Sequence, residues 1–340
     1  MDTRTKILFA GLSTLDSELR KEEWRESKFI ILLDENTFHH CLPLLINNVE
    51  VLQEAEFVEV PVGEECKSLE IASQVWQTLM EGEADRNTVI VNLGGGCVSD
   101  LGGFVAAGYK RGIRYINVPT TLLSMVDAAI GGKTAINFGG VKNSIGHFYP
   151  SSLTVIEPAF LETLPQEEML NGQMEMVKTA AVSSPSLYEQ IIASTDIHKY
   201  HIIEVARIKN RVVRADPYDQ SIRKILNFGH SFGHAIEVYS HLPHGISVGI
   251  GMKAAMYLST KKLGLDETTY LSYSKWLEKH VAVPKYTLKD IEKMLPLMRQ
   301  DKKNATGTIR CVLLQELGAP VIDLEVSDNE VRDTLITIAK

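Results

Sequence analysis

The sequence has few cysteines and no long apolar run, and each absence excludes a class of protein. Its 340 residues include four cysteines, which are scattered and form no Cys-x-x-Cys pair. A disulfide framework and a thiolate zinc knuckle are therefore not expected. No apolar run reaches the roughly 18–20 residues that span a bilayer, and the first short apolar stretch is interrupted too early for a signal peptide. We expect a soluble cytoplasmic protein without membrane segments.

Positive charge is also scarce. The 35 lysines and arginines are outnumbered by 43 acidic residues, so the net charge is −8. An acidic surface repels phosphate backbones, so general nucleic-acid binding is not expected, although a local basic cleft could still bind a small anion. Apolar residues make up 44% of the chain, which is typical of globular proteins. At about 150 residues per domain, this length predicts two domains.

The first half of the chain alternates β-rich runs with amphipathic stretches. Runs that predict strands begin at Phe29, Phe57, Thr88 and Tyr115, and helical stretches follow the second and third of these runs. Such alternation is typical of a parallel sheet covered by helices. Ligands of these sheets bind beyond the carboxyl ends of the strands, so we expect a binding site there.

The second half has a different pattern, which begins near Pro158. Its apolar residues recur at helical spacing, including one stretch over 222–240, and only 308–314 predicts a strand. We therefore predict an α/β domain over 1–160 and a mostly α-helical domain over 161–340.

Three glycines, Gly94 to Gly96, stand between a predicted strand and a predicted helix. Glycines there let the backbone approach a ligand closely, and free N–H groups at the helix start favour an anion such as pyrophosphate. The spacing differs from the G-x-G-x-x-G fingerprint, so a standard dinucleotide site is not indicated. On its own, the loop is as compatible with a plain tight turn as with a cofactor site.

A glycine-rich stretch over 119–146 carries two lysines, Lys133 and Lys142, each of which comes after a pair of glycines. A lysine flanked by closely approaching backbone suits a phosphate or a carboxylate. Asp127 lies in an apolar context, where an unpaired carboxylate would be costly to bury. The alternative is a capped turn with a structural salt bridge. We favour an anion site because several polar groups converge in one glycine-rich stretch.

Three histidines fall close together in the second half. His230 and His234 are four residues apart and share a helical face, and His244 follows ten residues later. This spacing suits a divalent metal bound by imidazoles and a carboxylate, for which Glu175 is the candidate. Glu175 and Lys178 could instead form an ordinary helical ion pair, and the histidine pair could be structural. The clustering favours the metal.

These motifs occur in the same order in the 3-dehydroquinate synthase family, which the chain resembles from Asp34 to Lys303. The matching segments are PVGEECKS, GGGCVSDLGGFVAAGYKRG, VPTTLLSMVDAAIGGKTAIN, VKNSIG, FLETLP, MEMVK, IRKILNFGHSFGHAIE, PHG and DKKN. The resemblance implies a Rossmann-like NAD-binding domain, a helical domain, and an active site in the cleft between them. It also implies Zn²⁺ or Co²⁺ held by Glu175, His230 and His244, whereas His234 would face the substrate.

The resemblance further implies sets of contact residues. For NAD, the matching positions are Asp34, Asn36, Glu64, Lys67, Gly95, Gly96, Cys97, Asp100, Thr120, Thr121, Lys133, Lys142, Phe160, Thr163 and Leu164. For the substrate and catalysis, they are Asp127, Lys133, Asn143, Lys178, Lys209, Arg223, Asn227, His234 and Lys302. Arg111 resembles an arginine that reaches a neighbouring subunit's site, which implies a homodimer.

The implied reaction converts 3-deoxy-D-arabino-heptulosonate 7-phosphate into 3-dehydroquinate and inorganic phosphate, in the shikimate pathway to aromatic amino acids. Its implied steps are transient oxidation by NAD⁺, elimination of phosphate, re-reduction and intramolecular aldol closure. The rival hypotheses are another sugar-phosphate cyclase of the sedoheptulose 7-phosphate type, a metal-dependent alcohol dehydrogenase, and a non-enzymatic binding protein. The presence of Lys209, Arg223, Asn227 and Lys302 favours the substrate that carries a carboxylate, which Lys209 and Arg223 suit.

The chain departs from the family pattern at Ser99 and Asp219, which stand where glycine and glutamate are usual, and in the loop over 138–141. None of these departures removes an implied metal ligand or charged substrate contact.

Overall fold

The chain divides into two units in the computed structural model, which describes residues 5–9, 11–300 and 308–339. The first unit runs to Met169 and includes the later segment Ile202–Tyr218. The second unit comprises Leu170–His201 and the chain from Asp219 onward. The first unit thus includes a helical segment from beyond residue 160.

A six-stranded sheet forms the centre of the first unit. The strands up to residue 155 are β1 (Lys6–Leu8), β2 (Phe29–Asp34), β3 (Glu56–Val60), β4 (Val89–Gly94), β5 (Arg114–Pro119), β6 (Lys133–Phe138), β7 (Val141–Phe148) and β8 (Leu153–Val155). The sheet order is β1-β8-β5-β4-β2-β3, and every neighbouring pair is parallel. The predicted parallel sheet is confirmed, and β1 and β8 are additions that the sequence pattern did not predict.

Helices connect the strands of this sheet. They are α1 (Leu12–Leu19), α2 (Glu35–His40), α3 (Leu42–Asn48), α4 (Leu69–Glu81) and α5 (Gly96–Gly108). All six residues of β2 and of β4 are buried, which explains their continuous apolar runs. Leu32 and Ile90 of these strands share a core cluster with Val75 of α4 and Leu101 of α5.

The strand order reverses its direction between β2 and β4. In the chain, β2 leads to β3 on one side, whereas β4 leads to β5 on the other. Ligands of doubly wound sheets bind outside the carboxyl ends of the strands at such a switch point. Asp34 ends β2 and caps α2, and Gly95 follows β4 and caps α5. The sheet topology therefore indicates a binding site beside these two residues.

β6 and β7 form an antiparallel hairpin of their own, in which Ala135 pairs with Gly146. Gly139 and Gly140 connect the strands, and both have positive φ, as a tight two-residue hairpin turn requires. All eight residues of β7 are exposed, and they include Lys142 and Asn143. The sequence pattern did not predict this hairpin.

The second half of the chain is mostly helical, as predicted. Its helices are α6 (Gln166–Ser183), α7 (Pro185–Ala193), α8 (Lys199–Ala215), α9 (His230–Ser240), α10 (His244–Lys262), α11 (Glu267–His280), α12 (Leu288–Gln300) and α13 (Asp328–Ile338). The strand predicted over 308–314 corresponds to β9 (Ile309–Glu316), which pairs with an unpredicted antiparallel strand, β10 (Ala319–Val326). Among the described residues, no helix is both long enough and apolar enough to cross a membrane.

The helical stretch over 222–240 is interrupted. A 3-10 helix covers Ile222–Asn227, and α9 begins only at His230. Gly229 causes the break because its φ of +78° lies in the left-handed region. A Cβ at this position would lie 2.9 Å from the backbone oxygen of Val248, so the close approach of α10 also requires glycine. The break makes His230 the first residue of α9.

Candidate metal centre and active site

Three side chains of the second unit bring metal-ligating atoms together. Glu175 lies on α6, and His230 and His244 are the first residues of α9 and α10. One ligand atom from each lies within 4.8 Å of the others. The Nε2 atoms of His230 and His244 lie 3.8 and 3.5 Å from Oε1 of Glu175. The three helices therefore direct one carboxylate and two imidazole nitrogens at a common point.

The other ring nitrogen of each histidine is hydrogen-bonded away from this point. Nδ1 of His230 lies 3.2 Å from the backbone carbonyl oxygen of Phe228, and Nδ1 of His244 lies 2.9 Å from Oε2 of Glu237. A carbonyl and a carboxylate both accept hydrogen bonds, so each Nδ1 donates and each Nε2 lone pair can face a metal. Two imidazoles and one carboxylate form a donor set of catalytic zinc sites, which keep a position open for substrate. The residues present therefore fit a divalent metal ion.

Charge around this centre is balanced within the protein. The Glu175 carboxylate is fully buried and forms an ion pair with Lys178, which is also buried on the next turn of α6. Burial lowers the pKa of His244, but the carboxylates of Glu175 and Glu237 outweigh burial and raise the pKa to about 9. A metal that binds to Nε2 of His244 at neutral pH therefore displaces a proton.

Predicted substrate residues of the second unit lie on α9 and on the 3-10 helix that precedes it. The His234 ring lies one turn along α9, with its centroid 5.2 Å from that of His230 and 5.9 Å from that of His244. Arg223 and Asn227 belong to the 3-10 helix that precedes α9, and Arg223 is buried. Lys302 lies outside the described residues.

Predicted NAD residues of the first unit lie at the carboxyl ends of adjacent strands. Asp34 ends β2, Gly95 and Gly96 follow β4, and Thr120 and Thr121 follow β5. The backbone N–H of Thr120 donates to the carbonyl of Gly94 at 3.1 Å, so the last two of these loops are in contact. The side chain of Asp34 accepts a hydrogen bond from the Thr37 backbone in a capping box.

Lys67 connects two of the predicted residue sets. Its Nζ lies 2.7 Å from Oδ2 of Asp100 and donates a hydrogen bond of 2.5 Å to Oδ1 of Asn143. Burial lowers the pKa of Lys67, but the carboxylates of Asp100 and Glu64 outweigh burial and raise it, so the side chain is an ammonium at neutral pH. The structure thus places a buried cation between a predicted NAD contact and a predicted substrate contact.

Asp127 and Lys209 also lie together in the first unit. Lys209 extends from α8 and approaches the carboxylate of Asp127 to 2.5 Å. Asp127 belongs to a π-helical turn, Ser124–Ala128, that follows β5. The sequence placed Lys209 in the helical second half, whereas its segment packs with the first unit.

The remaining predicted residues lie at separate places in the first unit. Asn36, Glu64, Lys133 and Lys142 are exposed, and Cys97 is half-buried on α5. Phe160, Thr163 and Leu164 lie in and just after the 3-10 helix Pro158–Thr163. Arg111 is exposed and ends the turn Tyr109–Arg111, which joins the C-terminal end of α5 to the start of β5. That connection lies at the amino ends of the strands, opposite the Gly95 loop, because α5 runs back along the sheet.

Two asparagines and one glutamate hold predicted site residues in place by hydrogen bonds. The sequence analysis did not identify these three residues. Asn137 donates to Glu64 at 2.8 Å and accepts from the Asn143 backbone at 2.9 Å. Asn171 accepts a hydrogen bond from the backbone N–H of Gly245, next to His244. Glu237 accepts from His244. A helical stripe could have identified Glu237, since it follows His230 by seven residues, whereas the two asparagines lack such a signal.

Comparisons with known proteins place the chain in a family. The family model for the 3-dehydroquinate synthase N-terminal region matches residues 57–171, and the model for the C-terminal region matches residues 172–304. A 3-dehydroquinate synthase of Parabacteroides distasonis is 36% identical, over 94% of this chain and 94% of the relative. The chain belongs to the 3-dehydroquinate synthase family. A 3-dehydroquinate synthase of Dehalococcoides mccartyi is 42% identical, over 83% of this chain and 80% of the relative.

A solved structure shares the fold. The 2-epi-5-epi-valiolone synthase from Streptomyces hygroscopicus subsp. jinggangensis 5008, with NAD⁺ and Zn²⁺ bound, has a TM-score of 0.84 and 24% identity. The match covers 100% of this chain and 98% of that one. The dehydroquinate synthase-like fold that the sequence predicted is therefore confirmed. The two family models also meet at residues 171 and 172, close to the first unit boundary at Met169.

Proposed function

We propose that this member of the 3-dehydroquinate synthase family converts 3-deoxy-D-arabino-heptulosonate 7-phosphate into 3-dehydroquinate and inorganic phosphate. The observation that carries the proposal is the convergence of Glu175, His230 and His244 within 4.8 Å, in a chain that aligns with 3-dehydroquinate synthases over most of its length. A structural protein or a plain binding module does not need three ligands with both imidazoles oriented by hydrogen bonds.

NAD⁺ binding is proposed for residues 1–160. When bound, NAD⁺ supplies hydride acceptance and return within one catalytic cycle. The N-terminal end of α5 at Gly95 and Gly96 offers backbone N–H groups to a pyrophosphate, and Asp34 lies at the switch point between β2 and β4. Lys67 adds a buried positive charge near Glu64 and Asp100.

Zn²⁺ or Co²⁺ binding is proposed for the three ligands of the second half, residues 161–340. When bound, the ion supplies Lewis-acid chemistry that lowers the pKa of a substrate hydroxyl. His234 lies beside the ligand histidines, so its imidazole is placed to take up and return a proton. The Lys178 ammonium is placed to face negative charge that develops on the substrate.

The proposed substrate carries a carboxylate and a phosphate, which call for cations. Lys209 and Arg223 suit the carboxylate, and Lys133, Asn143 and Lys302 suit the phosphate. Asp127 holds the Lys209 ammonium by an ion pair of 2.5 Å, which reduces the freedom of that side chain before substrate binds. Asn227 is proposed to orient the substrate hydroxyls.

We also propose a homodimer in the cytoplasm. Arg111 lies at the amino ends of the strands, away from the Gly95 loop of its own chain, so its contribution to an active site would be made to a second copy. The four cysteines are free thiols, which is typical of a reducing compartment.

The test supplies the heptulosonate phosphate with Zn²⁺ and a trace of NAD⁺ and measures inorganic phosphate and 3-dehydroquinate. We expect many turnovers per NAD⁺ without net NADH, and loss of turnover in His244→Ala with the fold retained. Stoichiometric NADH would indicate a dehydrogenase instead, and preferred turnover of sedoheptulose 7-phosphate would indicate another cyclase.

Subunit mixing tests the role of Arg111. Arg111→Ala and His244→Ala subunits are inactive alone if each removes an essential group. An equal mixture of exchanging dimers should regain roughly one quarter of wild-type activity, because half of the dimers are mixed and each has one complete site. An inactive mixture, with exchange verified, would refute sharing of Arg111 between subunits.

A further inference from the structure

Glu237 contacts the proposed metal ligand His244 from the side opposite the metal point, which is the place where the ligand atoms of Glu175, His230 and His244 converge. Its Oε2 lies 2.9 Å from Nδ1 of His244, whereas Nε2 of the same ring lies 3.5 Å from Oε1 of Glu175. The His244 ring thus spans two carboxylates, one on α6 and one on α9. The side chain of Glu237 is 12% exposed, and that of His244 is 34% exposed. His244 is the more exposed of the two ligand histidines, so it has more room to rotate.

The position of Glu237 follows from helical periodicity. His230, His234 and Glu237 occupy positions i, i+4 and i+7 of α9, which place their side chains along one stripe. The stripe faces the start of α10, where His244 is the first residue. α9 therefore supplies one proposed ligand from its first residue and, about two turns further on, a hydrogen-bond acceptor for the other ligand.

The two ligand histidines are oriented by different means. Nδ1 of His230 donates to the backbone carbonyl of Phe228, two residues before it, so its orientation follows from the chain path into α9. His244 has Glu237 as the partner of its Nδ1. A ligand histidine whose second nitrogen donates to a carboxylate is fixed in both tautomer and ring orientation, and it becomes a more basic ligand.

We propose that Glu237 is a positioning residue that holds Nε2 of His244 toward the metal point by accepting the hydrogen bond from Nδ1. This inference rests on the proposed function, since it presupposes that Glu175, His230 and His244 bind a divalent ion. Glu237 itself does not ligate the ion. Its carboxylate excludes the alternative tautomer, in which the proton lies on Nε2 and blocks metal binding.

Zn²⁺ affinity of the full-length protein tests the proposal without reference to turnover. Dissociation constants are measured by competition with a chromophoric chelator for wild type, Glu237→Ala, Glu237→Gln and Asp290→Ala. Asp290 is the matched control, because it accepts a hydrogen bond of 2.5 Å from Tyr239, two residues beyond Glu237 on the same helix. Asp290→Ala removes a carboxylate contact to α9 but leaves the contacts of His244 unchanged. The visible spectrum of bound Co²⁺ provides a second readout of ligand geometry.

We expect Glu237→Ala to weaken Zn²⁺ binding by about 10- to 100-fold, the usual effect of losing such a partner. Glu237→Gln keeps an acceptor oxygen, so its Zn²⁺ affinity should fall less. The control Asp290→Ala should bind Zn²⁺ as tightly as wild type. Zn²⁺ binding by wild type and equally tight binding by Glu237→Ala would overturn the role of Glu237 and leave the proposed function intact.

Two further outcomes are decisive. Failure of the wild type to bind Zn²⁺ would overturn the proposed metal centre and this inference with it. If Glu237→Ala does not fold, Glu237→Leu decides, because leucine fills the space and has no acceptor oxygen: weaker Zn²⁺ binding and altered Co²⁺ bands support the positioning role, and wild-type affinity with a wild-type spectrum refutes it.

Discussion

Lys209 donates two hydrogen bonds to one residue, Asp127, which precedes it by 82 positions. One bond of 2.5 Å reaches the carboxylate Oδ1, and the other of 2.6 Å reaches the backbone carbonyl. The double contact fixes both the side chain and the main chain of the π-helical turn Ser124–Ala128. It also connects the segment Ile202–Tyr218, which belongs to the first unit, to the turn that follows β5. A proposed substrate contact therefore also stabilises the fold.

The first prediction concerns this pair. Lys209→Met should lower the free energy of unfolding by about 1–3 kcal/mol, because it removes both hydrogen bonds that the ammonium donates to Asp127. Asp127→Asn keeps an amide oxygen and the same backbone carbonyl as acceptors, so its free energy of unfolding should fall less. Urea unfolding measures both variants, and steady-state kinetics should give a raised KM for the substrate in Lys209→Met. Equal stability of Lys209→Met and wild type would contradict the structural part of the prediction.

The second prediction concerns Lys178 and metal occupancy. In the metal-free protein, the Lys178 ammonium balances the fully buried Glu175 carboxylate. Lys178→Met should therefore lower the free energy of unfolding by about 3–5 kcal/mol when a chelator is present, as expected for breaking a buried pair. A bound divalent ion supplies positive charge in place of the ammonium, so the loss should be smaller with saturating Zn²⁺. By linkage, the variant should bind Zn²⁺ more tightly than wild type.

The control for the Lys178→Met prediction is wild type, measured under the same two conditions, with chelator and with saturating Zn²⁺. Both proteins are unfolded in urea under each condition, and only the difference between variant and wild type is compared. The same loss under both conditions would show that Lys178 acts through packing rather than through charge.

Much of the first unit could be predicted from the sequence because buried parallel strands have continuous apolar runs. β2 and β4 are buried at every position, and both were identified from such runs. β1 and β8 have three residues each, which is too short for a pattern. The break before α9 was missed because the apolar spacing continues through Gly229, and only its left-handed φ interrupts the helix.

The site was predictable to a different degree for ligands and for the residues that support them. Histidines at helical spacing carry their own signal, and among the three candidates the family resemblance assigned His230 and His244 to the metal and His234 to the substrate. The supporting contacts depend on tertiary structure. Asn171 lies 74 positions from Gly245, and Asn137 lies 73 positions from Glu64. No local periodicity links such pairs, so only the folded chain identifies them.

The third prediction concerns acid stability. Hydrogen bonds from Thr287 and Tyr239 lower the pKa of Asp290 from 3.8 to about 2. Because the folded-state pKa lies below the unfolded value, the ionised carboxylate stabilises the fold above about pH 4, and this contribution is lost as the pH falls toward 2. Between pH 4 and pH 2, the free energy of unfolding should therefore decrease less steeply with falling pH in Asp290→Asn than in wild type. Parallel curves would show that these hydrogen bonds do not favour the charged form.

The start of α10 is held against α6 at very short range. The backbone N–H of Gly245 donates to Oδ1 of Asn171 at 2.5 Å, one turn before Glu175 on the same helix. A Cβ at position 245 would lie 2.0 Å from the backbone oxygen of Asn171, so no side chain fits there. This contact fixes the distance between the helices that carry Glu175 and His244.

The fourth prediction follows from that contact. Gly245→Ala must push α10 away from α6, so it should lower the free energy of unfolding by about 1–3 kcal/mol or more, as overpacking does. It should also weaken Zn²⁺ binding, since His244 moves with its neighbour. The matched control is Gly82→Ala at the end of α4, where φ is −79° and the nearest atom lies 3.3 Å from the added Cβ. Urea unfolding and chelator competition measure both variants. Wild-type Zn²⁺ affinity in Gly245→Ala would show that the spacing of α6 and α10 does not control the metal centre.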